Sequence, residues 1–450
     1  MLVVSTPPAE VTPYLEKPGA VLYQGHVIDV LRSLPAQSVH CVVTSPPYWG
    51  LRDYKLPPQV WGGDLACEHE WGGGGRSGQL CRCGAWRGSL GLEPLHDCLA
   101  WARAGAPCAS CYVCHIVLVF REVRRVMRSD ATAWLNLGDS YASGGRESYG
   151  SDKKSKSRGG GFRPGNAAKN RGVSNRDGAP TPPGLKPKDL CMVPARVALA
   201  LQADGWWLRS DIVWAKPNPM PESVTDRPTK SHEYVFLLSK SALYYYDAEA
   251  ISAPTLFSVP RSRAPSGQYS MLSGRGDGGL HRSGGFVTGS VRNCRSVWTI
   301  AAQPYPEAHF AVFPPGLVKP CVLAGTSERG CCAACGAPWE RILERTEEPR
   351  ADFKGSRFDV GKFGARDGGD RTQTGDRYVM RSAGWRPTCR CPGQRGRAVP
   401  AVVLDPFAGS GTALEVARSL GRDVVGSELS LAYCKLAARR LAREPLGLVG

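Results

Sequence analysis

Residues 401–441, AVVLDPFAGSGTALEVARSLGRDVVGSELSLAYCKLAARRL, read as strand, glycine-rich turn, helix, strand and helix. In Asp405-Pro406-Phe407-Ala408-Gly409-Ser410-Gly411-Thr412 the glycines let the backbone turn tightly and approach a ligand with no side chain between. The next strand ends at Glu428, where a carboxylate can accept hydrogen bonds from both hydroxyls of a ribose. Leu414 stands where a dinucleotide fingerprint requires its third glycine, and no Lys-Ser/Thr follows as a phosphate loop would need. A nucleoside cofactor without a pyrophosphate anchor, S-adenosylmethionine, is favoured over a merely structural turn.

Working outward, the same alternation recurs. VIDVLRSL has helical apolar spacing and HCVVTS is a short buried-strand run; a helix is expected near His115 to Met127, then the strand ATAWLNLGD. The helix VPARVALALQADG and the strands SDIVWAK and EYVFLLSK follow. Alternating strands and helices predict an α/β fold, a Rossmann-like doubly wound parallel sheet. The core is expected in five pieces, 20–60, 91–142, 191–250, 298–330 and 396–445. Between them a zinc-binding insertion (61–90), a flexible basic loop (143–190), a Gly/Arg-rich basic loop (251–297) and a zinc-ribbon-like insertion (331–395) are expected. The 53 glycines and 36 prolines are abundant and the glycines concentrate in these insertions, so the packed part is smaller than 450 residues suggest.

The diproline run Ser45-Pro46-Pro47-Tyr48 follows the apolar residues Cys41 to Thr44, at the C-terminal end of a strand, where open α/β sheets bind ligands. Two prolines stiffen the backbone and remove its N–H donors. Acceptors remain, the Ser45 hydroxyl and the Pro46 carbonyl, beside an aromatic ring. Two such acceptors can orient an exocyclic amine, and the Tyr48 ring can stack on the base that carries it. A plain Pro-Pro turn with an exposed tyrosine is the bland alternative.

TSPPY near one end of the chain and DPFAGSGT near the other resemble the DNA amino-methyltransferases of the beta arrangement, in which the catalytic motif precedes the cofactor motif. The resemblance extends to GHVIDVLRSLPAQSVHCVVTSPPYWGLRDY, WLNLGDSY, DGWWLRSDIVWAKPNPMPESVTDRPTKSHEYVFLLSK and HFAVFPPGLVKPCVLAGTSERG, and is similar to versions carried by phages and prophages. It implies that Ser45, Pro46, Pro47 and Tyr48 hold the target amine and base. It implies that Asp405, Phe407, Gly409, Gly411 and Glu428 surround S-adenosylmethionine, with Asp29, Phe310 and Thr326 as further cofactor candidates. His26 stands after Gly25 where many relatives have an acid, and is left out. Serine before Pro-Pro points to cytosine N4, with adenine N6 the alternative. A cytosine C5 enzyme would need a nucleophilic cysteine; neither Pro107-Cys108 nor Pro320-Cys321 has a partner motif, and Cys321 reads as core. RNA or a protein amide is a second substrate reading, and an inactive zinc-stabilised DNA-binding module a third.

A net charge of +17 draws polyanions. Residues 143–188 hold eleven Lys and Arg against three acids, so they and the loop after Pro260 are candidates for contacting double-stranded DNA. Trp214, Lys216, Asn218, Arg227 and Glu233 sit in the family-like stretch between them without an assigned role. Cys67, His69, Cys81 and Cys83, and Cys332, Cys335, Cys389 and Cys391, each supply four ligands from two short turns, as a closed structural zinc site needs. Cys108, Cys111 and Cys114 have iron–sulfur-like spacing, but Cys98 is the nearest fourth candidate and no metal is assigned there. The absence of a long apolar run or export signal places the protein, on this reading, in the cytoplasm of a bacterial or phage-infected cell, away from membranes. A cognate restriction endonuclease is a partner that this reading allows.

Overall fold

The structure is a computed structural model. It describes residues 11–443 except 52, 55, 65, 73–77, 97–107, 109, 143–181, 255–290, 304–312, 349–376 and 393–396. Most of the two expected basic loops, together with Phe310 and Cys98, therefore lies outside the described residues.

Nine strands form the central sheet: β1 (Pro13–Lys17), β2 (Ala20–Gln24), β3 (Val39–Thr44), β4 (Met127–Leu137), β5 (Trp207–Ala215), β6 (His232–Ser239), β7 (Val297–Thr299), β8 (Val402–Asp405) and β9 (Asp423–Glu428). Their spatial order is β1-β2-β9-β8-β3-β4-β6-β5-β7. The five central strands from β2 to β4 are parallel, as expected. The sheet as a whole is mixed, which corrects the all-parallel expectation: β6 runs antiparallel to both β4 and β5, and β1 antiparallel to β2. The link from β5 to β6 contains no helix to carry a crossover, so the chain returns beside β5 in the opposite direction.

Helices cover both faces. Alternation along β3 sends Val42 to one face, against α1 (Val27–Ser33), α2 (Tyr112–Val126) and α3 (Val193–Ala203). Cys41 and Val43 point to the other face, against α4 (Pro315–Gly325), α5 (Thr412–Ser419) and α6 (Leu431–Ala442). A strand buried on both sides needs apolar residues at nearly every position, which accounts for the run in β3. Cys321 is 1% exposed within this second layer, as its reading as core expected.

The turn between β8 and α5 depends on glycine. Gly411, the N-cap of α5, has φ +83°, and a Cβ there would come within 2.9 Å of the Ala437 Cβ on α6. Gly411→Ala is expected to lower unfolding free energy by about 1–3 kcal/mol through left-handed strain and this clash. A urea midpoint unchanged from the native chain would contradict that.

Candidate active site

The diproline turn and the glycine turn leave the same edge of the sheet because β3 and β8 are adjacent and parallel, with Val403 opposite Cys41 and Leu404 opposite Val42. A side-chain bond closes the pair: the Thr44 hydroxyl donates to Asp405 Oδ1 at 2.7 Å. The same oxygen accepts from the Phe407 N–H at 3.0 Å, while the buried Oδ2 has no partner among the described residues. Burial pushes the Asp405 carboxyl up to about 7, against the pull of those two donors. Glu428 ends the next strand; its Oε2 accepts from Gly409 N–H at 2.8 Å and its Oε1 from Ser430 N–H at 2.7 Å. Burial raises this carboxyl too. On its far side Gly25 N–H donates to the Glu428 carbonyl at 3.1 Å, bringing the start of α1 and Asp29 to this edge.

The diproline turn is braced from behind. Tyr112, in the first turn of α2, donates to the Pro47 carbonyl at 2.8 Å, and Trp49 Nε1 donates to the Glu93 carbonyl at 2.7 Å. Gly91, at φ +97°, lies so close that a Cβ would be 3.1 Å from the Tyr48 carbonyl. The Tyr48 ring rests on Gly138, where a Cβ would meet Cε2 at 2.6 Å. Its hydroxyl lies 2.6 Å from Glu233 Oε2 and 2.8 Å from Asn136 Oδ1. With one proton to give, the phenol donates to the charged acceptor. Burial, and then the Glu233 charge, hold Tyr48 well above the usual phenol range, so it stays protonated. Lys216 pairs with Glu233 Oε1 and sits 4.2 Å from the centroid of the Trp214 ring.

Ser45 completes this network. Its Oγ is 3.3 Å from both Tyr48 Oη and Asn136 Oδ1. Its single proton points inward to one of them, so the lone pairs are what Ser45 offers a ligand. Pro46 is buried, and no described group donates to its carbonyl. Beside Thr44 and Asn136 opens a small cavity whose other walls, including Trp134, Phe313 and Leu317, are largely apolar.

A model of a protein family described as DNA methylase matches residues 39–333 and 400–439, spanning both turns and most of the described core. The chain belongs to the DNA methylase family. It is 34% identical over 419 residues to the Type II methyltransferase M.SmaI of Serratia marcescens, covering 93% of this chain and 89% of that one. With the Type II methyltransferase M.Cfr9I of Citrobacter freundii it shares 39% identity over 312 residues, 69% of this chain and 74% of that one. Among solved structures, PvuII DNA methyltransferase (cytosine-N4-specific) aligns at 13% identity and TM-score 0.44 over 94% of this chain and 86% of that one.

Not every candidate of this methylase joins the cleft. Helix α4 runs antiparallel to the central strands, so Phe313 at its start lines the cavity while Thr326 at its end lies at the opposite edge. There Thr326 accepts from Arg422 Nε at 2.9 Å, just before β9 begins. The structure thus separates Thr326 from Asp405 and Glu428, correcting its reading as a cofactor residue. Asn136 and Gly138 were missed by sequence reading, since only the pairing of β4 between β3 and β6 brings them to Tyr48. Glu233 and Lys216, earlier without a role, brace Tyr48, whereas Trp214 Nε1 and Asn218 bond the backbone of Ile300 and Ala302. Arg227 pairs with Glu222 and covers the Tyr141 ring at 3.7 Å.

Both cysteine quartets assemble. The ligand atoms of Cys67, His69, Cys81 and Cys83 lie within 4.8 Å of one another, as do those of Cys332, Cys335, Cys389 and Cys391. The first quartet belongs to a four-stranded sheet, Gln59–Trp61, Trp71–Gly72, Gln79–Cys81 and Trp86–Gly88, that lays Trp61 and Trp86 against His115 of α2. The second is tied to the opposite edge of the central sheet, where Arg128 donates to the Cys335 carbonyl at 2.7 Å and His40 Nε2 lies 2.9 Å from the Gly336 carbonyl.

The raised Asp405 carboxyl yields a signed expectation. Its folded value near 7 exceeds the unfolded one, so its contribution to stability is present below about pH 4 and is lost as pH rises through 7. Asp405→Asn keeps an acceptor for Thr44 and Phe407 but carries no charge. Urea unfolding should therefore show the variant gaining stability relative to the native chain between pH 4 and 7; a pH-independent difference would refute the buried-carboxyl account.

Proposed function

We propose that this DNA methylase transfers a methyl group from S-adenosylmethionine to the exocyclic amine of a base flipped out of double-stranded DNA, cytosine N4 in preference to adenine N6. The observation that carries the reading is the position of Ser45: an acceptor whose proton is used inward, one residue from the Thr44–Asp405 bond that joins the two turns. The serine before Pro-Pro supports cytosine, as the resemblance implies. Names of relatives such as M.SmaI, a Type II methyltransferase, support a restriction-modification role with a cognate endonuclease and a cytoplasmic setting.

The residues present fit the cofactor. Asp405 has a buried acceptor oxygen without a partner, and Glu428 retains lone pairs beside a glycine turn open to close approach. Asp405, Phe407, Gly409, Gly411 and Glu428 would hold it, with Asp29 at the rim. When bound, it supplies an electrophilic methyl carbon on a sulfonium. Ser45 Oγ and the Pro46 carbonyl accept the two N–H bonds of the target amine, turning its lone pair out of conjugation with the ring. Both oxygens also stabilise the positive charge that grows on the amine nitrogen until it releases a proton to solvent water. Tyr48, held by Glu233 and Asn136, supplies an edge or face for the base. Orientation and charge complementarity carry the reaction without a covalent enzyme intermediate.

Incubation with labelled S-adenosylmethionine and unmethylated duplex DNA, followed by digestion and mass spectrometry of nucleosides, should give N4-methylcytosine. N6-methyladenine would move the assignment to the alternative base, and no labelled nucleoside would overturn the function. Ser45→Ala should lower kcat by roughly 10²–10³-fold with little change in cofactor affinity.

Both quartets are read as structural zinc sites. Crowded thiols cannot all ionise without a cation: hydrogen bonding from the Cys335 N–H lowers Cys332 to about 7, while sharing hydrogen bonds with Cys335 pushes Cys391 up to about 12. Dialysis against a strong chelator is expected to release zinc and lower the thermal midpoint, with zinc restoring it. An unchanged midpoint alongside zero metal content would remove zinc from the account.

A further inference from the structure

We infer that a third metal site, for a soft divalent ion of the zinc class, is built from His96, Cys108 and Cys111. The sequence offers Cys108-x-x-Cys111 only as a short cysteine run; the fold adds His96. The potential ligand atoms of all three lie within 4.8 Å of one another, with Cys108 Sγ 3.6 Å from His96 Nδ1.

The surroundings support a built site. Cys111 is the N-cap of α2 and is fully buried, but its side chain does not cap the helix. Cys114, one turn along, fixes the approach of the loop: its Sγ accepts from the Cys108 N–H at 3.2 Å. Ser110 Oγ lies 3.8 Å from Cys108 Sγ. Burial is graded, with Cys111 buried, His96 half-buried and Cys108 exposed, so an ion can enter from solvent and be held against the helix. Two thiolates and a neutral imidazole match zinc in softness and leave one coordination position for water. The opening of α2 is itself a sensitive place. Tyr112 holds the Pro47 carbonyl, and the buried pair of His115 with Glu93 lies one turn further on. An ion at His96, Cys108 and Cys111 would therefore pin the loop after Glu93 to the helix that braces the diproline turn.

Metal analysis of the purified chain should give about one more zinc per molecule than is found in His96→Ala or Cys108→Ser, neither of which touches the eight ligands of the two quartets. The comparison reads this site whether or not the quartets hold zinc, and equal contents would overturn it. A second measurement uses the native chain alone. Alkylation followed by peptide mass spectrometry should find the exposed Cys108 protected in protein purified without chelator and modified after chelation and desalting. Equal labelling before and after, or iron with labile sulfide in place of zinc, would also overturn the proposal.

Discussion

Parallel pairing of β3 with β8, closed by the hydrogen bond from Thr44 to Asp405, is the constraint on which the rest of the site depends. Each strand delivers a rigid turn at its C-terminal end, one of prolines and one of glycines. Parallel register sends both turns off the same edge, and the buried bond sets their spacing. Desolvating Asp405 is costly for a carboxylate, and among the described residues two donors offset it, which leaves the second oxygen as stored capacity to bind. Stability is thus spent at the position where a ligand can restore it.

A second layer of polar side chains fixes the chemistry of the turn. Lys216 anchors Glu233, Glu233 accepts the hydrogen bond of the protonated Tyr48, and Asn136 lies beside the Tyr48 hydroxyl while donating to the Tyr234 carbonyl. Each donor is committed inward, so the face of the turn toward a ligand presents acceptors. Buried networks of this kind hold one geometry when all members are satisfied. That suits the orienting of a target amine proposed above.

The insertions attach at opposite ends. The quartet of Cys67, His69, Cys81 and Cys83 sits on a small sheet that stacks Trp61 on His115 and sets Trp86 against it at a tilt, behind the diproline turn. The quartet beginning at Cys332 is tied to the starts of β3 and β4 through His40 and Arg128, away from the cleft. One insertion is placed to steady the diproline turn, the other to steady the base of the sheet.

Local patterns determined a good deal by themselves. The apolar run of β3, the glycines at 409 and 411, the carboxylate at 428 and the paired cysteine spacings each follow from what one short segment needs, so they were legible without coordinates. What depends on strands meeting was not. The reversal of β6, the arrival of Asn136 and Gly138 at Tyr48, the pairing of Lys216 with Glu233 and the company His96 keeps with Cys108 and Cys111 are long-range facts. Thr326 shows the same limit from the other side: its segment reads as continuous with the cleft, yet a helix running against the strands carries it the length of the sheet away. Periodicity reports which face of an element is buried; only strand order and direction decide which ends share a cleft.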